Sequence, residues 1–240
     1  MIFLILPSYN EEKNLTKIFS KINKISKRSS ITVVLIDDCS FDKTYLLKNS
    51  KKKFKLIYFR HKKNKGLSIA LESGFKIINR IAKKKDIIIT MDSDNTHPVQ
   101  IIPKMVDKIK KNNFDIVIAS RFLKLSKVNG LSFFREKLSI LAKYIFKFFY
   151  PFNNLNEYTC NYRAYKFKLI NNLLKRKTFF KNEDFNIAAK ILLFFIKNFK
   201  DLKIYEIPIT LNYQYKIGSS KMKIFKNILL TLRLIFFKKI

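Results

Sequence analysis

Acidic residues are scarce in this sequence. Across 240 residues, 17 Asp and Glu stand against 50 Lys and Arg, a formal net charge of +33. So basic a chain calls for an anionic partner, and three classes fit: nucleic acid, an anionic membrane surface, or phosphorylated substrates. The lysines are spread along the chain and accompany abundant Ile, Asn and Phe, so charge alone does not choose among the three. Cysteine is nearly absent. Cys39 and Cys160 lie far apart with no metal-ligand spacing, which fits two reduced thiols in a cytosolic protein. Long apolar runs are missing as well. The opening "MIFLILP" stops at Pro7, too short for a secretory core, and nothing reaches the roughly 20 apolar residues of a membrane span. With 4 Gly and 5 Pro there is no low-complexity linker, and no repeat is visible. Hydrophobic residues make up 48% of the chain, enough for a substantial core. The expectation is one catalytic domain over 1–215, followed at 216–240 by a loop and a basic amphipathic helix.

What is present alternates between strand-like and helix-like segments. "IFLIL" (2–6), "ITVVLI" (31–36), "KLIYF" (55–59), "DIIITM" (86–91) and "FDIVIAS" (114–120) read as buried strands. Between them lie helical patterns at 10–25, from Ser40 as a cap through 52, at 66–82, and from Pro98 onward. This βαβαβαβαβ order predicts a three-layer α/β sandwich around a mostly parallel sheet. Beyond it, 136–149 reads as a helix, "TCNYRAYK" (159–166) as a strand, "NEDFNIAAKILLFFI" as a helix, and 202–213 as one or two strands.

In an open α/β sheet, ligands bind beyond the carboxyl ends of the strands. Asp37 and Asp38 follow the second strand there, and "MDSDNTHP" (91–98) follows the fourth. Residues i and i+2 of an extended segment face the same way, so Asp92 and Asp94 can converge on one point. Two adjacent carboxylates repel unless a cation lies between them. Mg²⁺ or Mn²⁺, hard and usually shared with substrate phosphates, suits such a pair.

Eight stretches in order resemble family 2 glycosyltransferases of the GT-A fold, in particular the polyprenyl-phosphate sugar synthases typified by dolichol-phosphate mannosyltransferases. They are "LPSYNEEKNL", "VVLIDDCSFDKT", "NKGLSIALESGF", "MDSDNTHP", "ASRF", "REKLSILAKYI", "YTCNYRAYK" and "EIPI…GSSKM". The resemblance covers nearly the whole chain. It implies a nucleotide-sugar donor, of GDP-mannose or UDP-glucose type. Pro7, Tyr9, Glu11 and Ile36 would line the nucleotide pocket, Asp38 would hydrogen-bond the base, and Asp92, Ser93 and Asp94 would meet the diphosphate. Asp92 and Asp94 would hold Mg²⁺ or Mn²⁺. Thr96 stands where the family often places an amide as a further ligand. Arg121, Arg135 and Ser139 would hold the acceptor phosphate or the diphosphate, and Ser220 and Lys221 would close over the phosphates. The family's loop arginine is replaced by Tyr215, with Lys216 beside it; an ammonium does not reproduce a bidentate guanidinium.

The resemblance implies an inverting transfer of a hexose to a polyprenyl phosphate, whose anionic oxygen needs no general base. The alternative is transfer to a hydroxyl of a glycan or glycolipid, with Asp184 as the base; Glu183 and Asp184 also suit a plain helix start. No nucleic-acid motif accompanies the basic charge. Arg135 with Ser139, and His97, also have ordinary readings as helix surface and turn. Met222, Phe225, Leu229, Leu232 and Phe236, flanked by Lys and Arg, fit either a core helix or one lying in a membrane interface. The interfacial reading makes the protein cytoplasmic and peripheral, on the inner face of the cell membrane, held by its anionic surface. Flipping of a lipid product would need a separate membrane protein.

Overall fold

In the computed structural model the described residues are 1–26, 30–176, 178–180, 186–218 and 224–236, with backbone alone for 224–227. In chain order they form β1 (Ile2–Ser8), α1 (Glu12–Ile25), β2 (Ile31–Asp37), β3 (Lys55–Arg60), α2 (Leu67–Asn79), β4 (Ile87–Thr90), α3 (Ile102–Asn112), β5 (Ile116–Ser120), β6 (Lys127–Asn129), α4 (Phe133–Phe149), β7 (Arg163–Lys166), α5 (Phe167–Leu174), α6 (Ile187–Asn198), β8 (Ile204–Pro208), β9 (Thr210–Asn212) and α7 (Ile224–Phe236). Seven strands make one sheet in the order β3-β2-β1-β4-β7-β5-β8; β6 and β9 pair separately. All neighbours in the large sheet run parallel except β7, which is antiparallel to both β4 and β5.

Strand β1 shows why the sheet lies between two helical layers. Every residue of it is buried, and its side chains alternate between two cores. Phe3 and Ile5 join the core containing residues of α2, α5 and α6. Ile2, Leu4 and Leu6 join the core containing residues of α1 and α3. Parallel pairing of Ser8 with Asp37 aligns the carboxyl ends of β1 and β2, so the loops after them open on one edge.

The local departures from the sequence reading have physical causes. The expected helix after β2 is a 3₁₀ segment, Lys43–Asn49, capped by Asp42, which accepts from the Thr44 amide. Ser40 is not that cap: its Oγ accepts from the Asn10 amide, tying the first loop to the second. The helix expected from Pro98 begins as a 3₁₀ turn over Val99–Ile101, and α3 follows with Pro103 in its first turn. Residues 159–162 lie outside β7. Strand β6 and helix α5, both short, were not anticipated. In α4 the wholly buried side chain is Phe146, while Leu141 and Phe149 are exposed. In α7, Leu234 and Ile235 are buried in the core, while Leu229, Leu232 and Phe236 are exposed. No helix among the described residues is long and apolar enough to cross a membrane.

Helix α2 approaches β1 so closely that a Cβ at Gly74 would lie 2.7 Å from Ile5 Cγ2. Ile5 is fully buried and cannot retreat. Gly74→Val should therefore lower the unfolding free energy by about 2 kcal/mol, as for other overpacked cores, measured by chemical denaturation.

Candidate active site

The loops at the carboxyl ends of β1, β2, β4 and β5 gather most of the acids named above. After β2, Asp37 is fully buried and accepts from the Ser40 amide at 2.8 Å and the Tyr58 hydroxyl at 2.7 Å. Asp38 accepts from the amides of Lys65 and Gly66 and lies 2.6 Å from His61 Nδ1. His61 Nε2 in turn meets Ser73 Oγ at 2.9 Å. Asp38 thus pins the turn that starts α2 at Gly66, whose φ of 83° glycine adopts without strain. Ile36 is wholly buried. Pro7 is also buried, Tyr9 half-buried beside Phe41, and Glu11 accepts from Asn14 Nδ2 at 2.6 Å.

After β4 the two acids have unequal surroundings. Asp94 Oδ1 accepts from the amide and hydroxyl of Thr96, at 3.2 and 2.7 Å, and Oδ2 pairs with Lys216 Nζ at 2.9 Å. Burial acts to raise the Asp94 carboxyl. The charges of His97 and Lys216, with hydrogen bonds from Lys216 and Thr96, hold it below the usual carboxylate range. Asp92 has a single partner among the described residues, Asn161, whose Nδ2 donates to Oδ1 at 3.0 Å. Ser93 Oγ between them is buried without a hydrogen-bond partner. Asn95 holds the turn at a φ of 63°, accepts from Lys21 Nζ and donates to the Tyr215 carbonyl. The segment carrying Lys216 is also tied to α1, where Asn14 bonds both the amide and the carbonyl of Ile217. The donor set suits a hard divalent cation: Asp92 Oδ2 accepts no hydrogen bond among the described residues, and Asp94 already holds a cationic group. The Thr96 hydroxyl donates to Asp94 Oδ1, which leaves its oxygen lone pairs uncommitted. His97 packs on Tyr162 with its Nδ1 unpartnered.

After β5, Arg121 is gripped by Glu157. Its Nε donates to Oε2 at 2.8 Å and its Nη2 to Oε1 at 2.9 Å; Nη2 also reaches Thr159, and Nη1 reaches Ser139 Oγ at 3.2 Å. Arg121 and Ser139 are therefore together, as expected. Arg135, one turn before Ser139 on α4, is half-buried and makes no hydrogen bond or ion pair among the described residues. Asp184, Ser220 and Lys221 lie outside the described residues. Glu157 and Asn161 were missed by sequence reasoning. Glu157, one of only 17 acids, was the available signal.

Burial alone would raise the Glu157 carboxyl. The Arg121 guanidinium and the amides of Cys160 and Thr159 pull it down from 4.5 to about 2. A carboxyl depressed by folding adds stability that is present above pH 4.5 and lost as pH falls toward 2. Glu157→Gln, which leaves Arg121 buried without its counter-charge, should cost about 3 kcal/mol at neutral pH. Its denaturation midpoint should also fall less steeply than the parent's between pH 5 and pH 3, by roughly the share that this one carboxyl contributes.

Comparison with known proteins follows the same lines. Residues 3–174 match the family described as Glycosyl transferase family 2. A dolichol-phosphate mannosyltransferase of Pyrococcus furiosus is 32% identical over 224 residues, covering 92% of this chain; the chain spans 59% of that protein's length. A UDP-N-acetylglucosamine–dolichyl-phosphate N-acetylglucosaminyltransferase of Methanococcus voltae is 27% identical over 135 residues, 50% of this chain and 52% of that protein. Glucosyl-3-phosphoglycerate synthase from Mycobacterium tuberculosis, solved with Mn²⁺, UDP and glucosyl-3-phosphoglycerate, superposes over 98% of this chain and 77% of that one. Its TM-score is 0.65 at 14% identity, a likeness of fold. With the α/β sheet, the family match over most of the chain and the 32% identity agreeing, the chain belongs to glycosyl transferase family 2.

Proposed function

We propose that this chain transfers a hexose from a nucleotide-sugar to a polyprenyl phosphate at the cytoplasmic face of a membrane. The observation that carries the reading is the placement of α4. One side of this helix brings Ser139 to Arg121 Nη1. Elsewhere on it Phe133, Phe134, Tyr144 and Phe148 are exposed, interspersed with Lys137, Lys143 and Lys147. Phe149 of α4 packs edge-on against Phe236 of α7 at 4.9 Å, so the two helices present one apolar, basic surface. Such a surface suits an anionic leaflet, where each nearby Lys adds roughly 1 kcal/mol. The relatives in Pyrococcus and Methanococcus are named for dolichyl phosphate substrates, which supports a lipid-phosphate acceptor.

Asp92 and Asp94 would hold Mg²⁺ or Mn²⁺, which when bound neutralises the charge developing on the nucleoside-diphosphate leaving group. Lys216 keeps Asp94 compensated while the donor is absent and is near enough to meet a diphosphate afterwards. Arg121, with Nε and Nη2 spent on Glu157 and Thr159, offers Nη1 together with the Ser139 hydroxyl. Arg135, one turn away and unpaired, completes a basic seat for the acceptor phosphate. That phosphate is already ionised near neutral pH, so no side chain has to remove a proton. In-line attack from this seat inverts the anomeric centre.

The test is transfer of label from a panel of GDP- and UDP-sugars to short-chain polyprenyl phosphate with Mg²⁺ or Mn²⁺. Label should enter the lipid phase and fall by about a hundredfold in Asp94→Asn, the scale for losing one preorganised charge contact. Labelling of a hydroxyl acceptor instead, abolished by Asp184→Asn, would overturn the phosphate-acceptor reading. For the membrane surface, Phe148→Ser should weaken binding to anionic vesicles roughly fivefold, a partial loss of one Phe burial, and leave turnover of a water-soluble acceptor unchanged.

A further inference from the structure

We infer that Asn161 supplies a neutral oxygen ligand to the cation held by Asp92 and Asp94. This rests on the reading of those two carboxylates as the cation's holders. The site is otherwise short of protein donors. Among the described residues no group of three His, Cys, Asp or Glu gathers that could hold a metal. The Thr96 hydroxyl donates to Asp94 Oδ1 and its carbonyl accepts from the Asn212 amide. A hard cation wants about six oxygens, and beside two carboxylates, substrate phosphates and water that shell has room for a further protein donor.

Asn161 is placed for the role by the sheet. Thr90, the last residue of β4, pairs with Arg163, the first of β7. The Asn161 carbonyl accepts from the Thr90 hydroxyl at 2.5 Å, which fixes its backbone two residues before the strand. Its side chain is buried against Asp92, Nδ2 donating at 3.0 Å, and its Oδ1 takes no hydrogen bond among the described residues. A half-turn about Cβ–Cγ exchanges Nδ2 and Oδ1. Two oxygens that share an edge of an octahedron, each about 2.1 Å from Mg²⁺, lie about 3.0 Å apart. That is the present separation of Asn161 Nδ2 from Asp92 Oδ1. The amide therefore has two uses at one distance: an N–H toward a bare carboxylate, and an oxygen toward a carboxylate that already holds a cation.

Mn²⁺ titrated into the full chain with GDP or UDP, followed by loss of the free-ion EPR signal, gives the apparent Kd. Asn161→Ala should raise it roughly tenfold, the lower end of what a lost metal-site partner costs. Asn161→Asp separates the two uses, because it keeps an oxygen but cannot donate to Asp92. It should bind Mn²⁺ at least as tightly as the parent and gain more Tm from the ion. It also preserves side-chain size, so the test survives if the alanine variant does not fold. If Asn161→Asp binds much more weakly than the parent, Asn161 only orients Asp92 and the inference is overturned. Parental affinity in Asn161→Ala overturns it equally. A parent chain that takes up no Mn²⁺ with either nucleotide overturns the reading of Asp92 and Asp94 themselves.

Discussion

The constraint on which this structure turns is the cost of gathering carboxylates at one edge of a sheet. Besides Glu11, five acids converge there, and their compensation is unequal. Asp37 and Asp38 are satisfied by backbone amides, a phenol and an imidazole. Glu157 has a guanidinium. Asp94 has an ammonium and a hydroxyl. Asp92 has one amide. Asp37, Asp38 and Glu157 are compensated within the protein and hold loops in place, whereas Asp92, with one amide, has the least internal compensation of the five.

The antiparallel strand β7 makes this convergence possible. Were it parallel, its amino-terminal flank would lie at the opposite edge. Running against β4 and β5, it pairs Arg163 with both Thr90 and Ile118. The residues before it then hang over the ends of both neighbours. Glu157 meets Arg121 on one side and Asn161 meets Asp92 on the other. A single strand reversal thus couples Arg121 to the acidic pair.

Much of this could be read from the sequence where local pattern and chemistry coincide. The apolar runs "IFLIL", "ITVVLI" and "DIIITM" gave parallel strands and their common edge, because fully buried strands carry an unbroken hydrophobic signal. The acidic pair followed from its place after the fourth strand, whereas Arg121 and Ser139 were named only through the family resemblance. The direction of β7 was not, since four residues of "RAYK" carry no mark of orientation. Glu157 and Asn161 depend on that direction, so their roles were invisible until the strand was placed. The cap at Asp42 was misassigned to Ser40 because two capping residues stand two apart and only the tertiary bond from Asn10 decides between them.

Helix α4 has a consequence of scale. An α-helix with its side chains is about 10 Å across, and here one side holds Ser139 against Arg121 while Phe148 stands out into solvent. A helix lying flat on a bilayer acts as a spacer of fixed height. On the proposed membrane reading, the reacting phosphate would stand that far above the acyl region, and the protein would gauge the reach of a headgroup rather than the length of its tail.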